Sequence, residues 1–355
     1  MQHCTYCPFV ISTDLTQQEA YVGALVAEIE AKGRGEAVDT VYLGGGTPSR
    51  TSLDHLARIM AAIRARFDVA AGAEVSMEAN PEDVDDEALS AWRSFGVNRL
   101  SIGVQSFHDR ELQPLARVHG RDRAVAAVRT AVGAGLRTNL DLILGLPRQT
   151  IRSFRETLDV ALELGVGHIS MYLLDLEEKT PLQTQVIRGR AILPDDEDVA
   201  GLYVEAVGRL AAGGLTQYEV SNFARAGEEC RHNLRYWHRR EYHGFGIGAH
   251  SFVGNRRFAN TRDMRSYLER SGRGDFAPDF AEELGEGEVR REQLLLGLRQ
   301  TAGIESSDVA RLCGEEGTTW MERGIEGGWL RREGSRVAFT PAGFLLSNDY
   351  ISQLF

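Results

Sequence analysis

Two cysteines lie close together near the start of the chain, in Met1-Gln2-His3-Cys4-Thr5-Tyr6-Cys7-Pro8-Phe9. Their spacing, Cys4-x-x-Cys7 with Tyr6 and Phe9 beside it, fits a metal site, a redox dithiol or two ordinary buried thiols. A structural zinc site is a real competitor, because the spacing alone does not select the metal. The rest of the chain has to decide between these alternatives.

Small and polar residues follow several predicted strands, where parallel sheets carry their functional residues. Gly44, Gly45 and Gly46 leave the backbone open to a ligand, but they lack the Lys-Ser/Thr of a phosphate loop and the spacing of a dinucleotide fold. Polar side chains at the other strand ends suit the ammonium or ribose hydroxyls of a small ligand, namely Glu78, Gln105 and Asp141. A structural hydrogen bond could explain each of these residues singly. The hypothesis of a small-ligand site therefore rests on their joint placement at the strand ends.

The elements that must position these residues alternate between strands and helices at intervals of roughly 30 residues, which predicts βαβ units and a parallel sheet. We predict strands at Val38 to Leu43, Glu74 to Glu78, Arg99 to Val104, Thr138 to Leu144 and His168 to Leu173. We predict helices at Thr16 to Lys32, Leu53 to Phe67, Asp86 to Phe95, Arg123 to Val132, Ile151 to Leu164 and Asp198 to Ala212.

The strand–helix rhythm ends near Leu215, and the chain is predicted to divide into three parts: 1–214, 215–284 and 285–355. The middle part is rich in aromatic residues, histidines and glycines, and the acidic stretch Glu282 to Glu288 is predicted to be a linker. Helices at Arg291 to Leu298, Ser307 to Leu312 and Thr318 to Gly327, with a ribbon through Leu330 to Phe339, predict a small winged-helix-like domain.

Composition excludes some classes of function. A net charge of -11 and a pI near 5.4 argue against a general nucleic-acid surface, which needs a basic footprint. Four cysteines in 355 residues are too few for a disulfide framework, which favours a reducing cytoplasm. The sequence contains no apolar run of the ~20 residues that a transmembrane helix needs, which leaves peripheral membrane contact open.

The order of the motifs resembles a known family over nearly the whole chain. The motifs are Cys4-x-x-Cys7, Gly44-Gly45-Gly46-Thr47-Pro48-Ser49, Glu78-Ala79-Asn80-Pro81-Glu82, Gly103-Val104-Gln105-Ser106-Phe107, Arg117-Val118-His119, Asn139-Leu140-Asp141 through Gly145-Leu146-Pro147, and His232-Asn233-x-x-Tyr236-Trp237. Together they resemble the radical S-adenosylmethionine (SAM) family of oxygen-independent coproporphyrinogen oxidase-like proteins, and within it the HemW-type heme-chaperone branch.

The resemblance implies an α/β fold, a partial (β/α)6 TIM-like barrel with a C-terminal α+β, winged-helix-like appendage. It also implies a 4Fe-4S cluster held by three cysteines, of which Cys4 and Cys7 match the second and third, and SAM on the remaining iron. The glycine loop through Thr47 would receive the methionine end of SAM, near Tyr6 and Phe9. Further positions that match SAM contacts of the family are Glu78, Gln105, Arg117 and Asp141.

The chain departs from the family pattern at its start. The first cluster cysteine would fall one residue before Met1, and the first barrel strand is also missing. We therefore expect an N-terminally truncated chain that assembles the cluster poorly or not at all. Two thiolates cannot replace three, and Cys230 and Cys313 lie in segments with no motif for this role.

Heme is the third ligand that the resemblance implies. Imidazole is a good axial ligand for heme iron, and the aromatic rings of Tyr236 and Trp237 could cover a macrocycle face. His232 is therefore the candidate ligand, although a histidine in an aromatic cluster is commonly plain core, and Cys230 or His250 could ligate instead.

Three classes of function follow. The leading hypothesis is a heme chaperone that delivers heme to an acceptor protein. The second is a porphyrinogen-decarboxylating oxidase, against which Phe9 argues because the oxidase carries a further cysteine at that position. The third is a zinc-binding or structural protein without radical chemistry.

Overall fold

The computed structural model describes residues 4–7, 15–176 and 180–354. The strands are β1 (Ala37–Leu43), β2 (Asp68–Ala79), β3 (Arg99–Gln105), β4 (Arg137–Leu144), β5 (His168–Leu173), β6 (Thr216–Gln217), β7 (Asn222–Ala224), β8 (His250–Val253), β9 (Arg256–Ala259), β10 (Phe280–Glu283), β11 (Ile304–Glu305), β12 (Leu330–Glu333) and β13 (Arg336–Phe339). The helices are α1 (Gln18–Lys32), α2 (Leu53–Arg66), α3 (Asp86–Ser94), α4 (Asp109–Leu112), α5 (Arg121–Gly133), α6 (Ile151–Glu163), α7 (Pro181–Ile187), α8 (Asp196–Ala212), α9 (Arg231–Trp237), α10 (Met264–Ser271), α11 (Glu286–Leu298), α12 (Ser306–Glu326), α13 (Pro341–Leu345) and α14 (Ser347–Ser352).

The main sheet is a curled half-barrel, as the strand–helix rhythm predicts. Among the described residues its order is β1-β2-β3-β4-β5-β7-β6, and the first five strands pair in parallel. The short strands β7 and β6 extend it antiparallel. The predicted α/β partial barrel is therefore confirmed. The sheet continues past residue 214, and the division of the chain into three parts stays a prediction.

The helices begin where the sequence supplies caps. The side chains of Ser52, Asp85 and Thr150 accept hydrogen bonds from backbone N–H groups in the first turns of α2, α3 and α6. The strands between these helices carry apolar residues that the helices cover, and Leu100, Ile102, Leu140 and Leu142 are fully buried. Burial of these side chains supplies the main favourable term for folding of the sheet.

The opposite face of the sheet is polar, and this face lines the barrel lumen. Side chains alternate between the two faces of a strand, so residues two apart share a face. The polar residues on this face are Thr40 and Tyr42 on β1, Glu74, Ser76 and Glu78 on β2, Arg99 and Ser101 on β3, Asn139 and Asp141 on β4, and His168, Ser170 and Tyr172 on β5. Registers such as Glu78 opposite Ser101 and Asn139 opposite His168 bring them side by side.

A buried carboxylate joins α1 to the region after β7. Glu28 is 1% exposed and accepts hydrogen bonds from the Asn260 side chain (2.7 Å), the Gly246 backbone N–H (2.9 Å) and the Tyr267 hydroxyl (2.7 Å). Lys32 forms an ion pair with the same carboxylate at 2.6 Å. These contacts fix the segment that contains α10 and β8–β10 beside the half-barrel.

The C-terminal region contains α11 and α12 beside the antiparallel sheet β11-β13-β12, in agreement with the predicted winged-helix-like appendage. The predicted linker at Glu282 to Glu288 is wrong. Glu282 and Glu283 lie in β10 opposite Arg257 and Arg256, and Glu288 caps the first turn of α11 through the Gly285 N–H at 2.8 Å. The acidic residues are therefore used in cross-strand pairs and a helix cap, a role that composition alone does not reveal.

Across residues 4–7, 15–176 and 180–354, no helix is both long and apolar enough to cross a membrane.

Candidate functional site

The Cys4–Cys7 loop lies at the mouth of the half-barrel. The Thr5 backbone N–H donates to the Leu115 carbonyl (3.3 Å), its hydroxyl donates to the Pro114 carbonyl (2.7 Å), and its carbonyl accepts from the Leu182 N–H (2.9 Å). The loop is thus held between the segment after β3 and the start of α7. This anchoring places both thiols at the carboxyl ends of the strands, where the glycine loop also lies.

Tyr6 and Arg117 connect the cysteine loop to the barrel. Tyr6 packs against an apolar cluster that includes Leu115 and Leu182, and burial raises the pKa of its phenol. One nitrogen of the Arg117 guanidinium lies 3.4 Å from the sulfur of Cys4, and the other donates to Asn80 (2.8 Å) and to the Gly103 carbonyl (2.7 Å). A positive charge therefore lies beside a sulfur that would act as a metal ligand.

The glycine loop follows β1 and contacts Glu78. The Gly45 N–H donates to Oε2 of Glu78 at 3.1 Å, and the Tyr42 hydroxyl donates to Oε1 at 2.9 Å. A Cβ on Gly44 would lie 2.5 Å from the Tyr42 ring and 2.8 Å from Oε1 of Glu78, closer than side chains pack. Gly45 has a φ of +90°, a conformation that glycine adopts readily. The loop therefore needs glycine at both positions.

Thr47 and Gly46 complete the loop. Among the described residues, no heavy atom lies within 4 Å of the potential Cβ of Gly46, so its exposed backbone is open to a ligand. The Thr47 carbonyl accepts a hydrogen bond from the Arg50 N–H at 3.0 Å at the start of a short 3-10 turn.

Gln105 and Arg117 approach each other across Gly103. A Cβ on Gly103 would lie 3.0 Å from the Gln105 amide nitrogen and 3.3 Å from the Arg117 guanidinium. Gln105 has a φ of 65° at an irregularity in the β3–β4 pairing, and a non-glycine residue rarely adopts this conformation. The Gln105 amide thus lies beside Arg117 at the end of β3.

Asp141 lies at the centre of a buried hydrogen-bond network. Its carboxylate accepts from the Ser101 hydroxyl (3.0 Å) and from the Asn139 amide (2.8 Å). The Asn139 carbonyl oxygen accepts from Nδ1 of His168 (2.5 Å), and Nε2 of His168 accepts from the Tyr218 hydroxyl (2.8 Å). This pattern needs a neutral His168, in agreement with burial, which holds its pKa well below the ordinary value.

Glu78 and Asp141 both hold protons more tightly than exposed carboxyl groups. Burial, followed by the negative charge of Asp141, raises the pKa of Glu78 to about 7. Burial raises the pKa of Asp141 to about 6, against the opposing hydrogen bonds from Ser101 and Asn139. Perturbed carboxyl groups at the mouth of a barrel are typical of a binding or active site.

Sequence reasoning missed a third carboxyl group, Glu219. It is fully buried, and its Oε2 accepts from the Ser221 N–H at 3.1 Å, while Oε1 has no hydrogen-bond partner among the residues that the structure describes. Burial raises its pKa to about 7. Glu219 lies in the turn between β6 and β7, and this turn pairs with Gln300 of the C-terminal region. The sequence of this segment is rich in aromatic residues and gives no sign that Glu219 is buried, which is evident only in the fold.

Replacing Glu219 with glutamine should change how stability depends on pH. Because the pKa is raised from 4.5 to about 7, the stabilisation from this group is complete below about pH 4.5 and is lost as the pH rises through about 7. Between pH 5 and 8, the wild-type free energy of unfolding should therefore fall by about 1–3 kcal/mol relative to Glu219→Gln. Urea denaturation across this range measures the difference. Glu163→Gln, on the exposed face of α6, is the matched control, and a pH-independent difference would contradict the prediction.

The His232-Asn233-x-x-Tyr236-Trp237 motif forms α9, which lies against β1. Glu74, 2% exposed in the lumen, accepts hydrogen bonds from the N–H groups of Arg231 (3.2 Å) and His232 (3.0 Å). Asp39 pairs with Arg235 at 2.9 Å and with Arg231 at 3.4 Å. A buried carboxylate at the N-terminus of the helix and an ion pair along its side thus fix α9 on the sheet edge.

His232 points from α9 toward β1. Its Nδ1 lies 2.9 Å from the Thr40 hydroxyl and its Nε2 lies 2.8 Å from the Tyr236 hydroxyl. The imidazole stacks on the Tyr42 ring with centroids 5.1 Å apart and 22° between the planes. Burial lowers the pKa of His232 to about 4, so the imidazole is neutral near pH 7 and one nitrogen keeps a lone pair.

The other residues considered for heme differ in their surroundings. Tyr236 packs edge-on against both His232 (5.1 Å) and Tyr242 (4.7 Å) and is 38% exposed. The Trp237 carbonyl accepts from the Gln300 side chain at 3.3 Å. Cys230 is 3% exposed with its sulfur 3.5 Å from Glu74, and burial raises the pKa of its thiol to about 11. His250 lies exposed on β8, and Phe9 lies outside the described residues.

Tyr42 and Thr40 are the contacts of this site that sequence reasoning overlooked. Both share the lumen face of β1 with Gly44, because side chains two apart on a strand point the same way. The available signal is that Thr40 and Tyr42 occupy alternate positions of β1 and so face the same side of the sheet. Both residues contact His232 on α9, which lies nearly 200 residues later in the chain. No pattern in the sequence indicates that α9 and β1 meet.

The metal donors fit a cluster only in part. Within the described residues, no group of three or more His, Cys, Asp or Glu side chains forms a metal site. Cys4 and Cys7 supply two thiols, whereas a 4Fe-4S cluster that also binds SAM needs three thiolates. The glycine loop, Glu78, Gln105, Arg117 and Asp141 do fit a small ligand with ammonium and hydroxyl groups.

Comparison with known proteins supports the fold and identifies the family. The fold is a parallel half-barrel with a Cys-x-x-Cys loop and a triple glycine at its mouth, and residues 1–161 match the model of the Radical SAM superfamily. Heme chaperone HemW of Mycobacterium tuberculosis is 37% identical over 100% of this chain and 92% of its own length. Heme chaperone HemW of Bacillus subtilis is 34% identical over 98% and 94%, respectively. The chain therefore belongs to the HemW family of radical SAM proteins.

A solved structure supports the architecture. Coproporphyrinogen III oxidase (HemN) from Escherichia coli superposes with a TM-score of 0.85 and covers 99% of this chain and 87% of that one. The sequence identity is 22%, so this likeness concerns the fold alone. Membership of the radical SAM superfamily implies a 4Fe-4S cluster and SAM as cofactors.

Proposed function

We propose that this protein is a heme chaperone that binds heme and delivers it to an acceptor protein. The observation that carries the proposal is the end-to-end similarity to proteins named heme chaperone HemW, at 37% identity with 92% of the relative covered. We place this activity in the cytoplasm, where reduced thiols are maintained. The acceptor is a heme-binding protein, and neither nucleic acid nor a transmembrane anchor is part of the proposal.

The geometry of His232 supports the proposed heme site. If Nδ1 donates to the Thr40 hydroxyl, Nε2 carries the lone pair and accepts from the Tyr236 hydroxyl. An iron atom at Nε2 would then replace the Tyr236 hydroxyl, while Thr40 keeps the tautomer and orientation of the ring. Tyr236 and Trp237 are the aromatic residues proposed to contact the macrocycle.

The buried thiol of Cys230 suits heme less well. Its sulfur is inside the protein and its proton is held tightly, whereas a thiolate ligand must be deprotonated. His250 is exposed on β8, which belongs to another sheet than β1. These contacts favour His232 over both alternatives.

The radical SAM part of the site would hold its cofactors with the residues at the barrel mouth. Cys4 and Cys7 are the thiolates of this chain proposed for the cluster, with Tyr6 packed beside them. Gly44 to Gly46, Thr47, Glu78, Gln105, Arg117 and Asp141 are proposed to contact SAM. When bound, the cluster and SAM supply one-electron chemistry and a 5'-deoxyadenosyl radical.

The proposal is tested with hemin and an apo-acceptor. The full-length chain should bind hemin stoichiometrically, with a shifted absorption band, and should transfer it to an apo-cytochrome during mixing. The competing oxidase hypothesis predicts decarboxylation of coproporphyrinogen III under anaerobic, reducing conditions. Turnover of the porphyrinogen without stable hemin binding would reject the chaperone proposal, and zinc without iron after anaerobic iron–sulfide treatment would favour a structural metal protein.

A further inference from the structure

One side chain, Tyr42, contacts both the glycine-loop carboxylate and the candidate heme ligand. Its hydroxyl donates to Oε1 of Glu78 at 2.9 Å, and its ring stacks on the imidazole of His232 with centroids 5.1 Å apart. The two proposed binding sites are therefore one side chain apart. Glu78 is on β2 and His232 is on α9, and these elements belong to parts of the chain separated by more than a hundred residues.

The Tyr42 ring has little freedom to move. The Tyr42 ring packs closely against the backbone of Gly44, because a Cβ on Gly44 would lie 2.5 Å from the ring and 2.8 Å from Glu78. On its other side the ring faces His232, which is held at both nitrogens by Thr40 and Tyr236. Packed side chains of this kind transmit displacements because the interior does not deform freely.

We propose that Tyr42 is a positioning residue that couples binding of SAM at the glycine loop to binding of heme at His232. This inference rests on the proposed function and assigns to Tyr42 a role beyond either site. The expected sign is positive, so that each ligand increases the affinity for the other. Such coupling is reciprocal by thermodynamic necessity.

The sign follows from the charge of Glu78. The amino group and sulfonium of SAM are cationic, and a cation beside Glu78 favours its ionised form over the protonated form. An ionised carboxylate accepts a shorter and stronger hydrogen bond from the Tyr42 hydroxyl than a neutral carboxyl group does. The Tyr42 ring is then held more firmly in the orientation in which it stacks on His232.

The stacked orientation is the one in which His232 can bind iron. Thr40 and the Tyr42 face fix the imidazole plane, and Nε2 remains directed toward the Tyr236 hydroxyl, where the metal would bind. A histidine that is already oriented loses less conformational entropy when it binds a metal. Binding of SAM should therefore prepare His232 for heme.

Hemin titration with and without SAM, after anaerobic iron–sulfide treatment of the full chain, tests the coupling. In the wild type, saturating SAM should raise hemin affinity by about fivefold or more. In Tyr42→Phe, which keeps the ring but loses the hydroxyl, the ratio of the two affinities should fall to about one. Tyr42→Leu, which also removes the stacking, should in addition broaden or shift the heme absorption band in both conditions.

Tyr203→Phe is the matched control. It removes a buried hydroxyl that donates to the Val220 carbonyl at 3.0 Å on the far side of the sheet, and the wild-type coupling should persist. Two results would overturn the inference and leave the chaperone proposal intact. One is an equal hemin affinity with and without SAM in the wild type, and the other is an undiminished effect of SAM on hemin affinity in Tyr42→Phe. A wild type that binds no hemin at all would instead reject the proposed function and the inference together.

Discussion

Replacing His232 with alanine should weaken hemin binding by at least about tenfold and alter the heme absorption spectrum. The imidazole is the half-buried, neutral nitrogen base of α9, and its orientation is set by Thr40 at 2.9 Å and by stacking on Tyr42. Alanine removes the nitrogen but leaves the helix, because the cap from Glu74 uses the backbone N–H. Absorption titration with hemin measures both the affinity and the ligand-dependent spectrum.

His238→Ala is the matched control for this experiment. His238 is exposed at the C-terminal end of the same helix, so its loss should leave the hemin spectrum unchanged. A second variant, Tyr236→Phe, frees Nε2 from its hydrogen bond and should modestly raise hemin affinity if iron takes that nitrogen. The same affinity and spectrum in His232→Ala and the wild type would exclude His232 as the ligand and redirect attention to Cys230.

Replacing Gly44 with alanine should destabilise the protein by about 1–3 kcal/mol and weaken SAM binding by about tenfold or more. The added Cβ would lie 2.5 Å from the Tyr42 ring and 2.8 Å from Glu78, so at least one of these side chains must move. Such a movement breaks the hydrogen bond of 2.9 Å between them and disturbs the carboxylate proposed to contact SAM. Urea denaturation measures the loss of stability, and calorimetric titration measures SAM binding.

Gly46→Ala serves as the stability control. In the part of the chain that the structure describes, no heavy atom lies within 4 Å of its potential Cβ, so we expect its free energy of unfolding to stay within about 0.5 kcal/mol of wild type. Equal losses of stability in the two variants would show that the close packing at Gly44 is not the cause. The pair thus separates steric exclusion from a general effect of replacing glycine in this loop.

Much of the barrel could be predicted from local patterns. Strand β4 is predicted from Thr138 to Leu144 and observed from Arg137 to Leu144, and α6 is predicted from Ile151 to Leu164 and observed to Glu163. Such agreement is expected where an apolar run, a capping threonine and the helical period all indicate the same boundary. β2 is longer than predicted, because Asp68 and Val69 pair with Ala37 and Val38 although the first five residues of the strand are largely exposed.

The region after residue 214 was harder to predict, because its strands are short and its partners are distant. β7 has three residues and pairs antiparallel with β5, some 50 residues earlier. α9 has seven residues and no buried side chain of its own to mark a periodic face. Its position is set by Glu74 and Asp39, which precede it by more than 150 residues.

The sequence by itself determined the strand–helix order, the residues at the strand ends and the family, because these depend on residue type and on spacing along the chain. Only the tertiary structure decided which of these residues meet. The β3–β4 register sets Asp141 beside Ser101, and the packing of α9 on β1 sets His232 on Tyr42. The physical reason is that hydrogen bonds and ring contacts between distant segments depend on how elements pack, and no local pattern records that packing.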